Sequence, residues 1–582
     1  MKMKPVNNFV GRRVFLVGVM GVVALLLLAR GLHLQVLDND RLRDEGDARY
    51  LRVVEIPAHR GMIVDRNGEP LAISTPVDSI WANPQKLAQA RTRWAELAQV
   101  LNINVKELER RVKRVDREFV YLRRHVNPAL GKKVAELDVP GVYLKREYRR
   151  YYPAGEVTGH LVGFTNVDDI GQEGMELAYD KSLQGQAGAK RVILDRHRQI
   201  VENVESIKEP APGRNLVLSI DRRIQYLAYR ELLATMKLNK AQTGSAVIVD
   251  VKTGEVLAAV NQPAFNPNAR AKVQSSFYRN RVVTDVFEPG STVKPLVVAA
   301  ALEAGKFTPH TMIDTAPGFF RVGGITVRDI HDYGLIDVST VIQKSSNVGV
   351  TKIAMSMTPE RLWSIYNRLG FGELTGSGFP GEQHGVLRDY HHWRASERAT
   401  MAFGYGLSST ALQLARAYAA LGNDGVLPPL SFERLSAAPQ GQQVMTKETA
   451  LQVRTMMELV TADGGTATTA RVPGYRIAGK TGTVHKISGN GYAKDKYLAL
   501  FAGLAPASKP RLAMVVMINE PTSKEYYGGL VAAPVFARTM AGALRLLNVS
   551  PDDPSSLTMQ VAKAPQPADP PSDTLAVQER DL

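Results

Sequence analysis

The chain has 582 residues, 44% of them hydrophobic, and carries 73 Lys plus Arg against 57 Asp plus Glu, a net charge of +16. This length allows about two to four domains with large cores and excludes wholesale disorder. With no cysteine, disulfides, thiolate catalysis and zinc–thiolate sites are excluded.

The basic balance fits an anionic partner without naming one. Its clusters, Lys145-Arg146 with Arg149-Arg150 and Arg110-Arg111-Val112-Lys113-Arg114, read as solvated faces rather than a nucleic-acid groove.

Val14 to Ala29 is uncharged, and apolar character resumes after Arg30 as far as Leu37. A bilayer core needs about 20 apolar residues, and an arginine near one end can snorkel. Residues 14–36 are therefore expected to form a transmembrane anchor behind a cytoplasmic tail of residues 1–13. Lys2, Lys4, Arg12 and Arg13 precede the span, so the positive-inside rule leaves the N-terminus cytoplasmic and the remainder beyond the inner membrane. A cleaved signal peptide is the alternative, but no good small-x-small site follows the leucine run.

Residues 37–214 read as an extended, mixed α/β, non-catalytic module. Arg52 to Ile56 alternates, and Asn67-Gly68 between apolar runs is a hairpin signal. Helical patterns follow over Pro84–Leu101 and Lys106–Val115, then a strand-like Val142–Tyr152. Pro212-Gly213 marks the boundary of a second domain, residues 215–549. It opens with a strand to Ile220 and a helix from Asp221, a ready N-cap. Gly244–Val260 reads as a hairpin, and a helix-rich middle extends to about Asn423. Tyr475–Lys486, Tyr497–Leu504 and Arg511–Glu520 look like strands, and Ala533–Leu547 like a closing helix. Strands at both ends with helices between imply an α+β plan. Residues 550–582 hold six prolines and few large apolar residues, and are expected to be a disordered tail.

Three motifs carry chemistry. In Glu288-Pro-Gly-Ser-Thr-Val-Lys294, Ser291 and Lys294 are three apart and share a helix face. A serine hydroxyl needs a base, and a lysine can serve only when burial or nearby positive charge keeps it neutral. A capped helix with a surface lysine would look the same. Ser345-Ser346-Asn347 opens another apolar stretch and can relay a proton and hold an amide, or be an ordinary N-cap. Lys480-Thr481-Gly482-Thr483 lies in a strand-like run, where hydroxyls and a lysine can bind a carboxylate and glycine permits close approach. Alone it is a common turn sequence.

In this order the three resemble the signature of penicillin-binding proteins and serine β-lactamases. The chain is similar over essentially its whole length to class B penicillin-binding proteins of the division-specific, FtsI type. Arg60-Gly61 with Asp65-Arg66-Asn67-Gly68, and Gly171 to Glu176, resemble the family's pedestal motifs. Glu288 to Pro295, Lys344-Ser-Ser-Asn-Val-Gly349 and Gly404-Tyr-Gly-Leu-Ser408 resemble division-type enzymes more than elongation-type ones, which usually show Pro-Pro-Gly-Ser and Ser-Cys-Asp.

The resemblance implies a penicillin-binding/serine β-lactamase-like transpeptidase domain on a dimerisation-like pedestal, with no cofactor and no metal. It implies Ser291 as acylated nucleophile and Lys294 as its base, with Ser345 and Asn347 for proton transfer and the substrate amide. Lys480, Thr481, Gly482 and Thr483 would bind the terminal carboxylate, with the Ser291 and Thr483 N–H groups as oxyanion donors. Tyr497, Tyr526 and Tyr527 match an aromatic wall around bound ligands, Tyr527 being often Phe in relatives; core packing is the alternative for all three. Implied partners are peptidoglycan stem peptides, β-lactams, the membrane and an FtsW-type glycosyltransferase, with no nucleic acid.

A class A β-lactamase would need a deacylating glutamate, and Glu382, followed by Gln-His-Gly-Val, does not match that pattern. An elongation-type or condition-specific paralogue remains an alternative, as does a non-catalytic β-lactam-binding scaffold. A sensor would need a signalling domain for which the short cytoplasmic tail leaves no room.

Overall fold

The computed structural model describes residues 10–41, 51–113, 117–194, 200–488, 491–523 and 525–557. Lys2, Lys4, Arg114, Val115 and the tail from 558 lie outside the described residues. The chain forms two compact units, one from described residues within 1–60, 76–149 and 184–213, the other from 61–75, 150–183 and 214 onward.

In the first unit, a helix spans Val10–Leu32 and passes into a wider turn over His33–Leu37. It buries no residue, and among the described residues it alone is long and apolar enough to cross a membrane. Strands Leu51–Ile56, Gly188–Leu194 and Ile200–Lys208 make an antiparallel sheet. A small core of Ile80, Leu97, Leu101, Leu108, Leu122 and Val134 joins short helices to strands. The pattern over Pro84–Leu101 is not one helix. A helix ends at Gln89 and another begins at Trp94. The Leu87 carbonyl, which in a continuous helix would accept the Arg91 N–H, accepts the Ala90 N–H at 3.1 Å and the Trp94 indole N–H at 2.8 Å.

In the second unit the expected hairpin forms, with Ile63 opposite Ala72 and Val64 opposite Pro70. The buried Asp65 carboxylate accepts from Asn67 N at 2.8 Å, Glu69 N at 2.9 Å and Arg222 N at 3.1 Å. It thereby ties the turn to helix α1 (Arg222–Leu238), whose N-cap is Asp221. Buried Arg150 meets buried Glu176 at 2.6 Å and Ser74 Oγ at 3.0 Å.

Strands β1 (Thr243–Asp250) and β2 (Val256–Gln262) follow. Then come helices α2 (Lys294–Glu303), α3 (Val338–Lys344), α4 (Asn347–Met355) and α5 (Ala411–Gly422). Strands β3 (Ala478–Ser488), β4 (Gly491–Ala505) and β5 (Leu512–Asn519) and helix α6 (Ala533–Leu546) complete the unit. The sheet order is β2-β1-β5-β4-β3, antiparallel throughout, so segments more than 200 residues apart pair directly, as in Ala246 opposite Val516.

Both faces of this sheet are covered. Phe501 stacks edge-on against Phe536 of α6, whereas Leu504, three residues on and so on the opposite face of the strand, lies against Gly422 of α5. This is why β1 and β5 are almost continuously apolar rather than alternating. Residues 550–557, expected to belong to a disordered tail, are instead fixed to the domain: Asp552 accepts from Arg476 N and Ser508 Oγ, and Ser556 Oγ from Gly474 N.

Candidate active site

Ser291 lies in a 3₁₀ turn, Gly290–Val293, that leads into α2, not inside the α-helix itself. In a 3₁₀ turn residues i and i+3 eclipse, so Ser291 and Lys294 align more closely than an α-helix would place them. Gly290 has φ +55°, and a Cβ there would sit 2.4 Å from Val484 of β3. A Cβ on Gly482 would press on Thr292 and the Pro289 carbonyl at 3.0 and 3.3 Å. Both glycines let the nucleophile turn lie directly against the strand.

Ser345 is the left-handed C-cap of α3, with φ +59°, and Ser346 is the N-cap of α4, its Oγ accepting from Gly349 N at 2.8 Å. The motif thus spans the junction of two helices, where the expectation was a single helix start. Asp329, which carries no motif spacing, secures the junction. Its carboxylate accepts from Ser346 Oγ at 2.5 Å, Val348 N at 3.1 Å and Asn347 N.

Two fully buried lysines converge on Ser345. Lys294 Nζ donates to Asn347 Oδ1 at 2.7 Å, to the Ser345 carbonyl at 2.6 Å and to Ser345 Oγ at 3.2 Å. Lys480 Nζ donates to the same Oγ at 2.8 Å and to the Thr481 carbonyl at 3.2 Å. Burial lowers Lys294 to about 7, with Asp329 opposing the shift. Burial, and then the charge of Lys294, hold Lys480 well below the ordinary lysine range. Two ammonium groups on one hydroxyl repel, so the pair favours losing a proton near neutrality.

A cleft of about 560 Å³ brings Ser291, Ser345, Asn347, Thr481, Thr483, Tyr497, Tyr526 and Tyr527 together, with Asp329, Lys344, Tyr405 and His485. Lys294 and Lys480 lie beneath it through their bonds to Ser345. Thr481 Oγ1 is 2.9 Å from Thr466 Oγ1, and Thr483 Oγ1 accepts from Gly528 N at 3.1 Å. The three tyrosines form a wall, not core: Tyr497 stacks on Tyr526 at 4.1 Å, and Tyr526 on Tyr527 at 4.5 Å. Glu382 lies outside this cleft lining and accepts from Thr375 N and Ser377 Oγ, both at 2.8 Å, closing its own loop.

Asp329, Tyr405 and His485 escaped the sequence reading. Asp329 and Tyr405 come from connecting segments with no spacing relative to the motifs; His485 was legible only as the residue two beyond Thr483 on the same strand face.

Residues 244–541 match the penicillin binding protein transpeptidase domain, and residues 55–218 the penicillin-binding protein dimerisation domain. The chain is 46% identical over 552 residues to the peptidoglycan D,D-transpeptidase FtsI of Escherichia coli K12, covering 94% of this chain and 93% of that protein. Among solved structures, a peptidoglycan synthetase from Bifidobacterium adolescentis superposes with TM-score 0.69 at 26% identity, covering 86% of this chain and 98% of that one. The transpeptidase domain of Burkholderia pseudomallei penicillin-binding protein 3 is 45% identical with TM-score 0.54, covering 58% of this chain and 97% of that one. A cleft with paired buried lysines, matched along nearly the whole chain by such relatives, identifies a member of the class B penicillin-binding proteins, the serine-type peptidoglycan D,D-transpeptidases.

Proposed function

We propose that Ser291 attacks the penultimate D-Ala carbonyl of a stem peptide, releases terminal D-Ala, and passes the acyl group to an amine of a neighbouring stem during septal wall synthesis. The observation that carries this reading is the convergence of Lys294 and Lys480 on Ser345 Oγ beside Ser291. Neutral Lys294 takes the Ser291 proton. Ser345, bonded to both lysines, returns a proton to the departing amine, while Asn347 orients the substrate amide. The Ser291 and Thr483 N–H groups stabilise the oxyanion, and Thr481, Thr483 and Lys480 hold the terminal carboxylate. β-Lactams acylate the same serine.

The anchor holds the enzyme in the inner membrane with its N-terminus cytoplasmic and its catalytic domain periplasmic. The anchor and first unit are the surfaces through which an FtsW-type glycosyltransferase and other division proteins would be met. The test is fluorescent penicillin with the full chain, the adduct located by mass spectrometry. An adduct on Ser291 that disappears in Ser291→Ala is expected; one that survives the substitution refutes the assignment. Depletion in cells should give filaments, and rounding would instead favour an elongation role.

A further inference from the structure

Helices α1 and α6 lie antiparallel, Arg538 bonding Glu231 and, one turn on, Gly542 meeting Leu227. A Cβ on Gly542 would stand 2.6 Å from Leu227, so the glycine lets the two helices touch. Next to this contact lies an open groove of about 750 Å³. Its floor is apolar, from Ala154, Val157, Leu227 and Leu546, each only half-buried. Arg222, Arg223 and Arg545 line it as well, and no carboxylate does. Arg222 pairs with Glu69 at 3.1 Å and Arg223 with Asp221 at 2.7 Å. Arg545 donates to the Ala541 carbonyl of its own helix at 2.8 Å, and no carboxylate pairs with it among the described residues. Such a groove suits an occupant that is apolar at its centre and acidic beside it.

The described residues end next to this groove. Leu557 covers Gly474, where a Cβ would be 3.3 Å from it. The adjoining Tyr475 donates its hydroxyl to the Val549 carbonyl, just past α6, at 2.7 Å. Burial pushes the Tyr475 phenol up and the Arg545 charge opposes the shift, so Arg545 is within electrostatic reach of the exit point. Residues 558–582 continue from there and are acidic in a basic protein, with Asp569, Asp573, Glu579 and Asp581 against Lys563 and Arg580. They contain the apolar run Leu575-Ala576-Val577, with Asp573 two residues before it and Glu579 two after. Extended, the stretch from 558 to 575 reaches on the order of 60 Å, ample for the run to meet the groove.

We propose that the C-terminal segment docks on its own domain, with Leu575 and Val577 on the apolar floor between α1 and α6 and the flanking Asp573 and Glu579 at the arginines. The segment is too polar to order alone and takes its order from the groove. Tethering makes a weak contact sufficient. At an effective concentration of about 1 mM, a segment that binds with Kd about 0.1 mM when free is docked about nine-tenths of the time.

The chain has no cysteine, so Ala154→Cys and Ala576→Cys introduce a single pair of thiols, one in the groove and one in the segment. The full chain is held in lipid nanodiscs, because detergent would itself fill an apolar groove, and fluorescent penicillin counts the folded enzyme in every variant. Under mild oxidation the intrachain disulfide should close about tenfold faster than in the same pair carrying Leu575→Asp and Val577→Asp. Arg545→Glu should slow closure severalfold, and added salt should slow it further. Equal closure rates with and without the two aspartates would overturn the proposal. So would a disulfide that forms only between chains, which would make a second copy the occupant. Closure at the variant's rate, with dodecyl phosphate shielding the Ala154→Cys thiol from maleimide, would overturn it in favour of an anionic amphiphile.

Discussion

In the mechanism we propose, the chemistry turns on the protonation of Lys294, whose surroundings make a definite pH dependence. Its ammonium, held at about 7 by burial, is neutral above that value, so penicillin acylation should rise between about pH 6 and 8 with a midpoint near 7. A stopped-flow rate that is flat across this range would remove Lys294 as the base. Asp329 opposes the shift; Asp329→Asn should therefore move the midpoint lower, while costing about 1–2 kcal/mol through the weakened cap on α4. Stability follows from the same group. Between the folded value and the ordinary value of about 10.4, the unfolded chain binds more protons at Lys294, so its contribution makes the protein more stable as pH rises through that window. The motif residues were legible because their identity and order encode the chemistry. Asp329 acts through a partner that the fold brings to it, Ser346, and no local spacing announces it.

At the scale of elements, the catalytic sheet could be read from the sequence because strands covered on both faces are long apolar runs. Strands such as Val120–Val126 and Ile200–Lys208 are rich in charge and could not. The Ser345 left-handed cap was hidden for another reason: a serine at positive φ is dictated by the meeting of α3 and α4, not by its own preference. Two pedestal motifs now have physical work assigned to them. Asp65 satisfies three backbone N–H groups while itself buried. Asp65→Ala should lower stability by about 3 kcal/mol, and Asp65→Asn by less because one acceptor oxygen remains. Glu176 faces Arg150 with both side chains almost wholly out of solvent. Glu176→Ala leaves that guanidinium without its carboxylate and should cost about 3–5 kcal/mol. Urea unfolding of the variants measures both, and losses under about 0.5 kcal/mol, as for ordinary surface changes, would contradict the argument.

For the whole molecule, the question is what the N-terminal helix does for an enzyme whose substrate is a wall outside the membrane. The 23 residues of Val10–Leu32 span about 35 Å as a helix, enough for a hydrocarbon core of about 30 Å. The helix buries none of its residues against the protein, so its apolar surface calls for lipid rather than a core. Arg12 and Arg13 lie in its first turn and Arg30 in its last, where each can reach a headgroup region. The full chain should therefore stay in the membrane pellet after alkaline carbonate, and a chain beginning near residue 42 should be released while still labelled by penicillin. In spheroplasts, external protease should destroy the catalytic domain and spare a tag placed before Val10. Release of the full chain by carbonate would exclude a spanning anchor, digestion of the tag would invert the topology, and a mature protein lacking the helix would establish a cleaved signal. Retention with a protected tag leaves one arrangement, in which Ser291 works tethered on the far side of the membrane, close to the surface where new stems emerge.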